Sequence, residues 1–126
     1  MPTTKDLLNN CTTKALIVAD ELSVATHTGP TIDLKGIGRK VLVIINAGTP
    51  AAGGTLDVVV HESNDNFNAD DDVLHTFSQI DGASLVEADL APNKRYIRVV
   101  ATVGTAVFPA SVEGIIYLER EVPSGL

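Results

Sequence analysis

The chain has 126 residues, a formal net charge of −7, 44% apolar and 20% charged residues, and no tryptophan. That size makes one domain, long enough to bury roughly two-thirds of the surface its unfolded form exposes. The apolar content excludes disorder, and the acidic balance disfavours nucleic acid and anionic membrane surfaces as partners.

Cys11 is the single cysteine, so no intrachain disulfide can form and synthesis in a reducing cytoplasm is expected. The opening MPTTKDLLNN lacks the charged-then-apolar pattern of a signal peptide. The apolar run around Val41–Ile45 is far too short to span a bilayer.

Residues 1–13 read as a polar arm in which Leu7 and Leu8 are the large apolar pair. A sandwich domain is expected over 14–121, and 122–126 as a tail. Lys14–Ala19 is a short strand, Asp20–Pro30 a connection with an extended Ser23–Thr26, and Thr31–Leu34 a brief strand stopped by Gly36 and Gly38. The strongest strand is RKVLVIINAG, where Val41 to Ile45 are apolar at successive positions. Both faces of that strand therefore favour leaving water, and a sandwich covers one of them. The second face calls for a loop, the arm or another subunit.

Gly48–Gly54 is a turn. Thr55–Glu62 alternates as a half-buried strand with Val58 and Val60 on one face. Asn64–Asp72 is an Asx-rich loop around Phe67. Val73–Ile80 and Ser84–Leu90 are further short strands. In Asn93–Val103, Ile97, Val99, Ala101 and Val103 share one face and Tyr96, Arg98, Val100 and Thr102 the other. Ala110–Arg120 closes the fold. Seven to nine short antiparallel strands without a convincing long helix predict an all-β sandwich or jelly roll with an extended N-terminal arm.

No catalytic constellation emerges. The serines lie outside any Gly-x-Ser-x-Gly elbow. Lys35-Gly36-Ile37-Gly38 precedes a strand rather than a helix, so it is no phosphate cradle. His27, His61 and His75 lack metal-ligand spacing. Glu87 and Asp89 sit one strand repeat apart without a predicted pocket. The Asx loop fails as an EF-hand because Asp71 stands where Gly is needed and Phe77 where Glu is needed. A looser calcium site of Asp65, Asp70 and Asp72 competes with a turn whose side chains satisfy their own backbone. Arg95 or Arg98 is expected to pair with Glu62 on a neighbouring strand. Neither an enzyme nor a metal or cofactor site is expected.

Several segments, in order, resemble small tailed-bacteriophage head decoration or cement proteins. They are Ile32–Gly36 with Val41–Gly48, GTLDVVVHESND at Gly54–Asp65, the aromatic Phe67, Phe77–Ile80, KRYIRV at Lys94–Val99 and the strand around Gly114. The resemblance covers about Lys14 to Leu118. The chain departs at Asn66 and Phe67, where many relatives place Gly then Trp, and an acidic run follows.

This resemblance implies a virion structural protein on the capsid exterior that binds the major capsid protein lattice and staples neighbouring capsomers as a dimer or trimer. Leu7, Leu8, Leu42, Ile44, Asn66 and Phe67 are the candidate subunit or capsid contacts. The alternatives are a carbohydrate- or cell-surface-binding sandwich, which the scarcity of aromatics opposes, and a tail or head-completion protein.

Overall fold

The computed structural model describes residues 11–36 and 39–117. The arm residues Leu7 and Leu8 and the expected tail 122–126 lie outside them. Nine strands follow one another: β1 (Cys11–Leu22), β2 (Thr26–Thr28), β3 (Ile32–Asp33), β4 (Lys40–Ala47), β5 (Thr55–Ser63), β6 (Asp72–Thr76), β7 (Ser84–Leu90), β8 (Tyr96–Gly104) and β9 (Phe108–Tyr117). Pairing of β1 with β9 begins at Cys11, opposite Tyr117. Residues 11–13 thus belong to the sheet, and the sequence boundary of the arm at Thr13 is three residues too late. The reason is that Cys11-Thr12-Thr13 is polar in composition yet sits beside the apolar end of β9.

The strands form two antiparallel sheets in the orders β1-β9-β4-β7 and β2-β8-β5-β6, with β3 also on β8. Only the β5–β6 hairpin and the β2–β3 break join neighbours within a sheet; every other connection crosses to the opposite sheet. A four-strand and a five-strand layer interleaved this way, with β2 and β3 sharing one position on β8, are a jelly roll. The expected all-β sandwich is the observed fold.

Alternation builds the core. Val41, Val43 and Ile45 of β4 point inward and are fully buried, as are Leu56, Val58 and Val60 of β5 and Ile97, Val99 and Ala101 of β8. Phe108 and Ile116 from β9 close the interior. Burying each such side chain contributes roughly 1.5–3 kcal/mol, so aliphatic residues suffice without tryptophan.

Strand β1 breaks the alternation. Register shifts between Ala15 and Ile17 and between Ile17 and Asp20 mark bulges, which turn both Leu16 and Ile17 toward the core. Beyond β6, Phe77 and Ile80 are buried and Ile80 bridges Leu56 through N–H···O bonds of 2.8 and 2.9 Å. The segment read as one strand to Ile80 is thus a short strand followed by a backbone clamp.

Candidate interaction surfaces

The outer face of the β1-β9-β4-β7 sheet is assembled by register. Leu42 stands opposite Ile115 on β9 and Asp89 on β7; Ile44 stands opposite Glu113 and Glu87. Leu42, Ile44 and Ile115 are half-buried while their strand neighbours Val41, Val43 and Ile45 are fully buried. The doubly apolar strand therefore spends one face on the core and leaves the other on the surface of the sandwich. At the edge of this face the Tyr117 hydroxyl donates to Asp89 at 2.8 Å, and Lys40 Nζ lies 3.8 Å from the same carboxylate.

Asn66 and Phe67 belong to a different surface, the β5–β6 loop of the other sheet. That loop is folded by two side chains. Ser63 Oγ accepts the N–H groups of Asp65 (3.1 Å) and Phe67 (2.9 Å) and donates to Asp65 Oδ1 at 2.9 Å. The Asp65 carboxylate accepts the N–H groups of Asn68, Ala69 and Asp70 at 3.0–3.2 Å.

Asn66 and Phe67 both adopt left-handed backbone, with φ of 60° and 59°. Asparagine tolerates that region and phenylalanine does not readily, so the loop's hydrogen bonds hold Phe67 against its preference. The Phe67 ring lies under Arg98, whose guanidinium carbon is 4.1 Å from the ring centroid. Arg98 in turn bonds Asp71 at 3.2 Å, and His61 Nδ1 meets the other Asp71 oxygen at 2.7 Å. The two sets of candidate contacts, Leu42 with Ile44 and Asn66 with Phe67, thus sit on opposite sheets rather than in one patch.

In this geometry the three carboxylates named for a looser calcium site are engaged by the turn's own backbone and by Lys94. Asp65 is occupied by backbone donors, Asp70 accepts the Asn64 N–H at 2.8 Å and the Lys94 ammonium at 2.8 Å, and Asp72 also pairs with Lys94. Burial raises the Asp65 carboxyl, but the N–H of Asp70, the Ser63 hydroxyl and the N–H groups of Ala69 and Asn68 together outweigh it and hold it below the usual range. Lys94 is the main reason the Asp70 carboxyl is also lowered, and its two aspartates push Lys94 upward in return. No group of three His, Cys, Asp or Glu side chains placed to hold a metal occurs among the described residues.

The expected pairing of an arginine with Glu62 is corrected. Arg95 grips Asp33 through Nε and Nη2 at 2.8 and 2.7 Å, which lowers the Asp33 carboxyl to about 2. Glu62 is buried and accepts the Asn93 N–H at 2.8 Å. Parity explains the miss: Glu62 pairs with inward-facing Ile97, whereas Arg98 pairs with outward-facing His61.

Surface recesses of about 500 Å³ include the following two. One follows β6 and brings His75 together with Ser78 and Ser84, yet no hydrogen bond joins the imidazole to either hydroxyl. The other lies among Leu34, Lys35, Arg39 and Asn93–Arg95. The aromatics form no open stacking platform: Arg95 covers Tyr96, Arg98 covers Phe67, Phe77 and Phe108 are buried, and Tyr117 is bonded to Asp89.

No protein-family model matches the chain, and no curated protein matches it in sequence. Among solved structures it is similar to PBSX exported protein XepA, with a TM-score of 0.68 and 17% identity over 91% of this chain. The two share a fold. The chain spans 40% of the length of that structure. A structure of infectious bursal disease virus Gt strain matches with a TM-score of 0.45 and 11% identity, over 85% of this chain and 32% of that one.

Proposed function

We propose that the chain is a structural protein of a phage virion, a decoration protein that binds the outer surface of the capsid shell and holds neighbouring capsomers together. The observation that carries this reading is the interleaved jelly roll, an architecture recurrent in viral shells, coinciding with the ordered segments that resemble phage decoration proteins. The fold shared with a phage protein, PBSX exported protein XepA, supports a virion structural role. Fold alone does not select a function, since lectin domains use the same architecture. The lack of an open aromatic platform disfavours glycan stacking.

Mechanically the proposal requires rigidity and copy number rather than catalysis. A sandwich whose interior is packed aliphatic side chains transmits load between two contacts without deforming. Each copy need supply only a few kcal/mol, because many copies on one lattice act together. The major capsid protein lattice is the proposed partner, and the proposed location is the virion exterior.

The test is co-sedimentation of the purified protein with undecorated capsids, counting bound copies. Saturation at hundreds of copies supports decoration. A handful of copies per capsid indicates a portal or tail position, and no binding discards the shell as partner.

A further inference from the structure

The outer face around Ile44 combines apolar surface with charge left unpartnered. Ile44 on β4 is flanked by Glu113 on β9 and Glu87 on β7, so two carboxylates stand about 10 Å apart across one isoleucine. Both are exposed, and among the described residues neither has an ion pair or side-chain hydrogen bond. One row away lie Leu42 and Ile115; on the other side Leu85, opposite Asn46, is 64% exposed.

The opposite sheet differs. Its outward carboxylates are engaged: Asp33 by Arg95, Asp57 by Gln79, and Asp71 by Arg98 and His61. Glu87 and Glu113 thus stand unpaired where the surplus apolar side chains of β4 and β9 reach the surface, while Glu21 on β1, opposite Pro109, is unpaired elsewhere on this sheet.

We propose that this face is a docking surface for another protein that presents apolar side chains flanked by lysine or arginine. Charge complementarity selects that occupant. A second copy of the chain is disfavoured, because a two-fold pairing of this face would set Glu87, Asp89 and Glu113 against the same three carboxylates. The face carries one cation on β4, Lys40, already beside Asp89. Like charges brought together in a desolvated contact oppose association. The face also argues against free phosphate or nucleic acid as its ligand. This inference goes beyond shell binding and holds for any partner of that chemistry.

The test uses the full chain and a synthetic eight-residue peptide of alternating lysine and leucine, followed by backbone-amide NMR shifts. The expected result is saturable shifts confined to the rows of Leu42, Ile44, Ile115 and Leu85, with a glutamate–leucine peptide inert. In E87Q/E113Q the affinity should fall about tenfold and its salt dependence should flatten, with an unchanged melting temperature. Leu85→Ser, at an exposed position, should weaken binding without touching the core. Shifts elsewhere on the molecule, no shifts, or unchanged binding by E87Q/E113Q would overturn the proposal. So would a dimer seen by sedimentation that Ile44→Asp abolishes, since a second copy would then be the occupant.

Discussion

Gly29 passes so close to Leu16 that a β-carbon on it would lie 1.7 Å from the Leu16 carbonyl oxygen and 2.9 Å from its carbonyl carbon. The Gly29 N–H bonds the Val99 carbonyl at 2.9 Å, so the segment between β2 and β3 is pinned to β8 while it crosses the bulge of β1. Glycine is required here because backbone meets backbone, and neither side can move without breaking a sheet.

Gly29→Ala should accordingly cost about 3 kcal/mol or more, among the larger effects of a single methyl group. Gly82 has nothing within 4 Å of its added β-carbon, so Gly82→Ala should stay within about 0.5 kcal/mol of the parent. Urea unfolding of the two variants measures the contrast. Equal stabilities would contradict the close approach.

Adjacent residues of β4 should behave oppositely. Ile45 is fully buried, whereas Ile44 is half-buried on the outer face. Ile45→Ala should lose about 2–5 kcal/mol, and Ile44→Thr well under half of that. Thermal and chemical unfolding both report it; a reversed order would mean that the inward and outward faces of β4 are exchanged.

Ser63 is fully buried and accepts two backbone N–H groups while donating to Asp65. Ser63→Ala should cost about 1–2 kcal/mol, because the half-buried Phe67 N–H and the Asp65 N–H lose their acceptor. The loss should be local as well as global: amide exchange in the loop 64–71 should accelerate more than in β5 or β8. Uniform exchange throughout would show that the loop is held by something else.

Acid should loosen the same region. Asp33, Asp65 and Asp70 all have carboxyl groups lowered by folding, from an ordinary 3.8, with Asp33 at about 2. A lowered carboxyl stabilises the fold fully above its unfolded value, and that contribution disappears as pH falls through the folded value. Stability should therefore decline from about pH 4 toward pH 2, and Asp33→Asn should flatten part of that decline. A pH series of urea midpoints tests the sign.

Much of the fold is legible in the residues. The period-two alternation in Thr55–Glu62 and in Tyr96–Val103 assigned their inward and outward faces correctly, because a strand has only two faces and the polar residues there choose one. Turn residues at Gly48–Gly54 and Asp81–Gly82 marked the strand ends. Five successive apolar residues in β4 told of two dry faces but could not say which one meets the core, since both are equally apolar. The paired bulges of β1 were also hidden. Nothing in Ala15-Leu16-Ile17 distinguishes a strand that alternates from one that turns consecutive residues inward.

The interaction surfaces divide the same way. Asp65 was legible as part of an Asx-rich turn and Ser63 was not; the service of the two side chains to five loop amides depends on left-handed backbone at Asn66 and Phe67. The partners of the cations are farther apart: Arg95 and Asp33 are 62 positions apart, and Lys94 and Asp72 are 22. Sequence by itself determined the strand content, the core faces of β5 and β8 and the acidic surplus, because these follow from local alternation and composition. Only the tertiary structure decided which sheet each strand joined and which carboxylates found cations. It also left Glu87 and Glu113 facing each other across Ile44, because register between distant strands is set by packing rather than by neighbours in the chain.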